Sequence, residues 1–201
     1  MSRLITNAIR STSATADAIT MDGSGNVTFP ANATCSGTAT GFGKILQVKS
    51  ATKTDTASTN ITRDSDWTGH GLSVSITPSS ASNKIFISGY FMVGANTGEN
   101  LFYKLFKGGS VITGATGDAD SNRSRVTASV PVRSDQAYVV YSLPIHYLDT
   151  AGSTSSLTYT PAIGVSSENN KTIYVNRPQS SVDNANYVRT ISVLTAIEVA
   201  A

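Results

Sequence analysis

An all-β fold, an antiparallel β-sandwich or jelly roll preceded by an extended N-terminal arm with a short β-hairpin, is what this 201-residue sequence predicts. Three observations carry the expectation. Apolar residues recur with period two over many short runs, turn-forming clusters punctuate those runs at regular intervals, and no stretch sustains the 3.6-residue period of an amphipathic helix. Composition agrees: charged residues are 14% of the chain, well below the ~25% of an average soluble protein. Roughly a quarter of the positions are Ser or Thr, which stay solvated without charge, and Thr favours the pleated backbone through its branched Cβ.

Taken in order, residues 1–43 read as an attachment or stem arm. Ala18-Ile19-Thr20-Met21 and Val27-Thr28-Phe29 are β-prone. Between them Asp22-Gly23-Ser24-Gly25-Asn26 supplies glycines and an Asn where a hairpin turn needs positive φ. The preceding stretch, Leu4 to Ala18, is compatible with extended chain or a short helix. So few large side chains cannot offset the ordering entropy of the segment alone. The arm is therefore expected to order against partners through Leu4, Ile5, Ile9, Ile19, Met21, Val27 and Phe29.

The boundary falls near Thr40 to Lys44, where small residues give way to patterned apolar ones, and a head domain occupies 44–201. Ile45, Leu46 and Val48 open it, and Leu72, Val74 and Ile76 alternate against Ser73 and Ser75 as a half-buried strand. Further strands are expected at Ala57–Thr62, Lys84–Val93, Leu101–Phe106, Ser110–Thr113, Ser124–Val132, Ala137–Tyr147, Ser155–Ile163, Lys171–Val175 and Tyr187–Val199. Gly108-Gly109 marks a tight hairpin, because two glycines admit the primed turns that match strand twist.

Several function classes are disfavoured. A net charge of +2 from 15 basic and 13 acidic residues, scattered singly, offers no basic stripe for a row of phosphates, so nucleic acid is not an expected partner. The single Cys35 forms no intrachain disulfide and reads as a plain thiol. Met1 to Arg10 lacks the apolar core of a secretion signal, and Phe86–Ala95 is too short to span a membrane. Membrane insertion is not expected.

Catalytic and metal chemistry find little purchase. Asp64 with Asp66, and Asp118 with Asp120, are the close carboxylate pairs, and both stand in turns where Asp caps its own backbone. Asp118-Ala119-Asp120-Ser121-Asn122 opens like a calcium loop, but Arg123 takes the place of the required Gly and Ser129 that of the bidentate acid. His70 and His146 have no zinc-ligand spacing, and no Gly-x-Ser-x-Gly elbow accompanies the many serines. No enzymatic activity, cofactor or resident metal is expected. The better recognition candidate is the polar turn carrying Asp64, Asp66, Trp67 and His70, since Trp joins apolar area to a hydrogen-bonding tip that suits sugar or protein contact, with a Trp folded back over the sandwich edge as the alternative. The strand-borne Tyr90, Tyr138 and Tyr141 read as core or intersubunit packing.

The run Ile19 to Phe29 resembles stem segments of tailed-phage fibre and virion-appendage proteins, marine phages above all. The head resembles their small jelly-roll tip domains over Lys44-Ile45-Leu46-Gln47-Val48, over Gly71 to Pro78 followed by Ser82-Asn83-Lys84-Ile85, and over the closing Thr190 to Val199. What the resemblance implies is a homotrimeric virion structural protein. Residues 1–43 would dock other virion proteins and the head would contact a host surface glycan or protein. A head fibre or capsid decoration protein is the alternative, and a small polysaccharide depolymerase a more distant one. The arm departs from long fibres in having no repeated stem unit, which favours a compact tip.

Overall fold

The computed structural model describes residues 8–10, 12–13, 15–16, 19–29, 45–63, 65, 70–95, 98–133 and 135–201. The chain divides into two compact units, Met1–Gly43 and Lys44–Ala201. In the first, β1 (Ala8–Ile9), β2 (Ile19–Met21) and β3 (Val27–Thr28) form an antiparallel sheet in that order. The β2–β3 hairpin sits where the glycine-rich turn placed it, and Asp22 builds the turn. Its carboxylate accepts the backbone N–H groups of Ser24 (2.9 Å) and Asn26 (2.8 Å) and the Asn26 amide (2.7 Å), which hold it below the usual carboxylate range. Gly25 takes φ +85° there. Of the residues assigned to docking, Ile9, Val27 and Phe29 are exposed and Ile19 and Met21 half-buried. Leu4 and Ile5 lie outside the described residues.

The second unit is nearly all β and antiparallel. Its strands are β4 (Ile45–Lys53), β5 (Ala57–Ile61), β6 (Val74–Ile76), β7 (Lys84–Ala95), β8 (Asn100–Lys107), β9 (Ser110–Val111), β10 (Ala128–Pro131), β11 (Tyr141–Thr150), β12 (Leu157–Val165), β13 (Lys171–Val175) and β14 (Ser192–Val199). A 3-10 turn covers Thr113–Ala115. One sheet runs β10-β8-β12-β6, with β9 on β8. The other is centred on β7, which has β11 along one edge and two strands end to end along the other: β14 beside residues 84–90 and β13 beside 93–95. Outside those, β4 pairs with β14 and β5 with β13. The larger sheet is thus interrupted twice at one level, at residues 54–56 and at 176–191.

The two sheets enclose one core. Odd-numbered residues of β7 (Ile85, Ile87, Phe91, Val93) meet Leu101, Tyr103 and Leu105 of β8 and Tyr159 and Ile163 of β12, all at most 1% exposed. Each such side chain contributes about 1.5–3 kcal/mol by leaving water. Two phenols bolt the layers together: Tyr103 donates to the Pro144 carbonyl (2.9 Å) and Tyr159 to Asp149 (2.8 Å), both on β11. Burial pushes the Tyr103 hydroxyl up to about 12. The Tyr159 hydroxyl is raised too, first by burial and then by Asp149, so both stay donors.

The alternation rule located most strands, and Lys171–Val175 coincides with its expected bounds. Three starts moved. The strand expected from Ala137 begins at Tyr141, the one expected from Tyr187 begins at Ser192, and the one expected from Ser124 begins at Ala128. Tyr138 and Tyr187 therefore stand in loops, a correction that bears on the site.

Candidate functional site

Of the recognition turn expected around Trp67, Asp64, Asp66 and Trp67 lie outside the described residues. His70 is a correction: it is 1% exposed and belongs to the core. Its Nδ1 accepts the Leu72 backbone N–H (3.0 Å) and its Nε2 donates to the Pro161 carbonyl. The ring packs 4.3 Å from Phe91. β6 pairs with β12 only over Leu157–Tyr159, and beyond that the imidazole serves the β12 backbone at a proline that has no N–H. Burial drives its pKa down to about 4. The glycines on either side of it suggested an open turn, whereas the buried Leu72 two residues on draws the ring inward.

The other titratable candidates stay apart. Asp118 and Asp120 are exposed, and Asp120 pairs with Arg123. His146 stands exposed on the outward face of β11, stacked on Phe86 and within 3.2 Å of the Ser88 hydroxyl. Among the described residues no three His, Cys, Asp or Glu side chains converge on one point. Nor, among the described residues, is any helix long and apolar enough to cross a membrane.

What the fold does build is a flap. Residues 176–191 leave the sheet between β13 and β14, and their base is clamped by Asn176, fully buried at φ +58°. Its side-chain amide donates to the carbonyls of Lys53 and Asp55 (2.9 Å each), and its oxygen accepts the Ser192 hydroxyl (2.7 Å). Ser192 Oγ in turn accepts the Met92 N–H at 2.9 Å. One side chain therefore stitches together both interruptions of the larger sheet.

From this base the flap crosses the outward face of β7. A Cβ added at Gly94 would lie 2.5 Å from the Arg177 carbonyl oxygen and 3.0 Å from Pro178 Cα, so only glycine lets the backbones approach this closely. Gly94→Ala is expected to cost about 2 kcal/mol and to lift the flap. Thermal unfolding and limited proteolysis within 176–191 read both effects.

The flap then meets the loop before β11, where the Ser180 N–H donates to the Ala137 carbonyl (2.9 Å). An Asn184 turn, in which its side chain accepts the Asn186 N–H (2.9 Å) and its carbonyl the Tyr187 N–H (3.0 Å), aims the next residues. Between the two loops lies a cleft of about 230 Å³ lined by Tyr138, Asn186 and Tyr187. Tyr138 is 51% exposed, and Val182, Val188 and Ile191 are exposed on the flap. Two phenol rings and an amide offer stacking faces with donors and acceptors at their edges, a set that suits sugars and polar peptides. Sequence reading missed this site because Tyr138 and Tyr187 were absorbed into strands. The signal present was Asp183-Asn184-Ala185-Asn186, a turn-former cluster directly before Tyr187.

A second cleft of about 230 Å³ lies over β8, between Asn100, Arg123, Ser124, Val126, Ser129 and Ser166, with Phe102 as its floor. That floor is 3% exposed, its ring pressed over Gly164, so it offers a ligand little stacking surface. The flap cleft is the stronger candidate. A scan against protein-family models and a search of curated proteins each return no match to this sequence.

Proposed function

We propose that the protein is a virion structural component of a tailed phage, a trimeric tail-fibre or appendage tip held in the particle through residues 1–43 and engaging the host surface through the head. The resemblance of residues 19–29 and of the head segments to appendage proteins supports the first half. The observation that carries the second is the flap cleft. Two loops on a rigid sandwich present Tyr138, Asn186 and Tyr187 outward, and among the described residues lining the cleft there is neither carboxylate nor imidazole. A lining of phenols and an amide suits binding, and the ligand in this reading is a host envelope glycan or a polar loop of a surface protein.

Binding of the full-length protein to isolated host envelope glycans tests this. Tyr138→Ala and Tyr187→Ala are each expected to weaken binding about tenfold, as loss of one stacked ring of ~1 kcal/mol or more implies, with unfolding temperature unchanged for the exposed Tyr138. Binding unaffected by both substitutions, or release of oligosaccharides by the wild type, would overturn the reading.

A further inference from the structure

The outward face of the larger sheet carries an apolar row that crosses it from edge to edge. Leu148 of β11 is in register with Phe86 of β7, Phe86 with Ile197 of β14, and Ile197 with Val48 of β4. Leu148 and Val48 are each 55% exposed. Ile45 and Leu46 extend the row at the β4 edge, 62% and 49% exposed, where the register shift next to Val199 gives β4 an extra residue. A solvated sheet face places polar residues at such outward positions, as the neighbouring row does with His146, Ser88, Thr195 and Ser50. A large apolar row on one face marks a contact surface.

We infer that this face is the self-association surface of the protein and that its occupant is a second copy of the chain. The inference rests on the proposed reading of the protein as an assembling virion component. Charge selects the occupant. Among the described residues of the apolar row and of the rows on either side of it, the one charged side chain is Lys84, whose ammonium already donates to the Thr150 hydroxyl at 2.7 Å. Copies can therefore bring these faces together around one symmetry axis without repulsion, whereas phosphates or an acidic partner would find no array of cations. Area agrees. Four strands at ~4.8 Å and four outward rows at ~6.7 Å span roughly 500 Å² in plane, which approaches the ~800 Å² per partner of a standard interface once side-chain relief is added. The flap lies at the other end of the same face, over Gly94, so association through the apolar row leaves the cleft open.

Sedimentation velocity of the full-length protein tests the inference. The wild type is expected to sediment as a closed oligomer and Val48→Asp/Leu148→Asp as a single chain, with the far-ultraviolet spectrum of the wild type because both side chains are exposed in the protomer. The milder Val48→Thr/Leu148→Gln is expected to give a concentration-dependent mixture, which guards against misfolding of the charged variant. An oligomer indifferent to both double variants would overturn this face while leaving the virion and glycan reading intact. A wild type that stays a single chain at all concentrations would overturn the inference together with the trimer, and glycan binding measured on the same sample would still report on the cleft separately.

Discussion

Asn176→Ala is expected to lower the stability of the head by about 4 kcal/mol and to free the flap. The Lys53 carbonyl and the Ser192 hydroxyl lose their partner inside a buried site, the Asp55 carbonyl in a part-buried one, and each orphaned buried group costs about 1–3 kcal/mol. The φ of +58° adds about 1 kcal/mol, because Asn tolerates the left-handed region and Ala does not. Two companion substitutions separate these causes. Asn176→Gly restores the backbone freedom and recovers only that last part. Asn176→Asp keeps shape and backbone but turns an acceptor toward two carbonyls, and is expected to be as damaging as Ala. Denaturant midpoints and the rate of proteolysis within 176–191 give the readout. A loss under about 1 kcal/mol for Ala would mean that the flap is held elsewhere.

Acid is expected to unfold the head in two adjoining steps. His70 titrates near 4 when folded against 6.5 when free, its charged form penalised by burial. Its contribution is complete above pH 6.5 and lost as pH falls toward 4, about 3 kcal/mol for a shift of this size. Glu198 acts in the window below. Although 0% exposed, it accepts hydrogen bonds from Gln47, from the Asn83 amide (2.6 Å) and from the Ser79 N–H and hydroxyl (2.8 Å each). Burial pushes its carboxyl up, the four bonds more than offset this, and the result is about 2. Its contribution is complete above about pH 4.5 and lost as pH falls toward 2. Denaturant unfolding followed from pH 7 to 2 should show both falls. His70→Gln should flatten the upper one and Glu198→Gln the lower, and a profile flat from 6.5 to 4 in the wild type would contradict the buried neutral imidazole.

The Glu198 cluster also explains why three segments far apart in sequence belong together. Gln47, the turn from Ser79 to Asn83 and the last strand meet on one carboxylate, and the Asn83 carbonyl accepts the Ala151 N–H at 2.9 Å. The strands themselves were legible because alternation is a local property: Val74 and Ile76, or Leu194 and Ala196, face the core and their neighbours do not. Glu198 continues that inward set, and nothing local says that four donors wait for it. The same holds for Asn176, with partners 16 to 123 residues away, and for His70, which besides the nearby Leu72 N–H serves a carbonyl 91 residues on. Ala137–Val140 and Tyr187–Ile191 are β-prone in composition and were read as strand, yet they lie in loops, with the flap base closed by Asn176 rather than by ladder bonds. Pro144, by contrast, sits comfortably in β11 because, among the described residues, that strand pairs with β7 alone.

Placement in a particle tests the central proposal most directly. Electron microscopy of purified phage particles labelled with antibody to residues 44–201 is expected to show label at fixed positions on tail or capsid appendages. Unlabelled particles, with all of the protein recovered free in the lysate, would contradict a virion structural role.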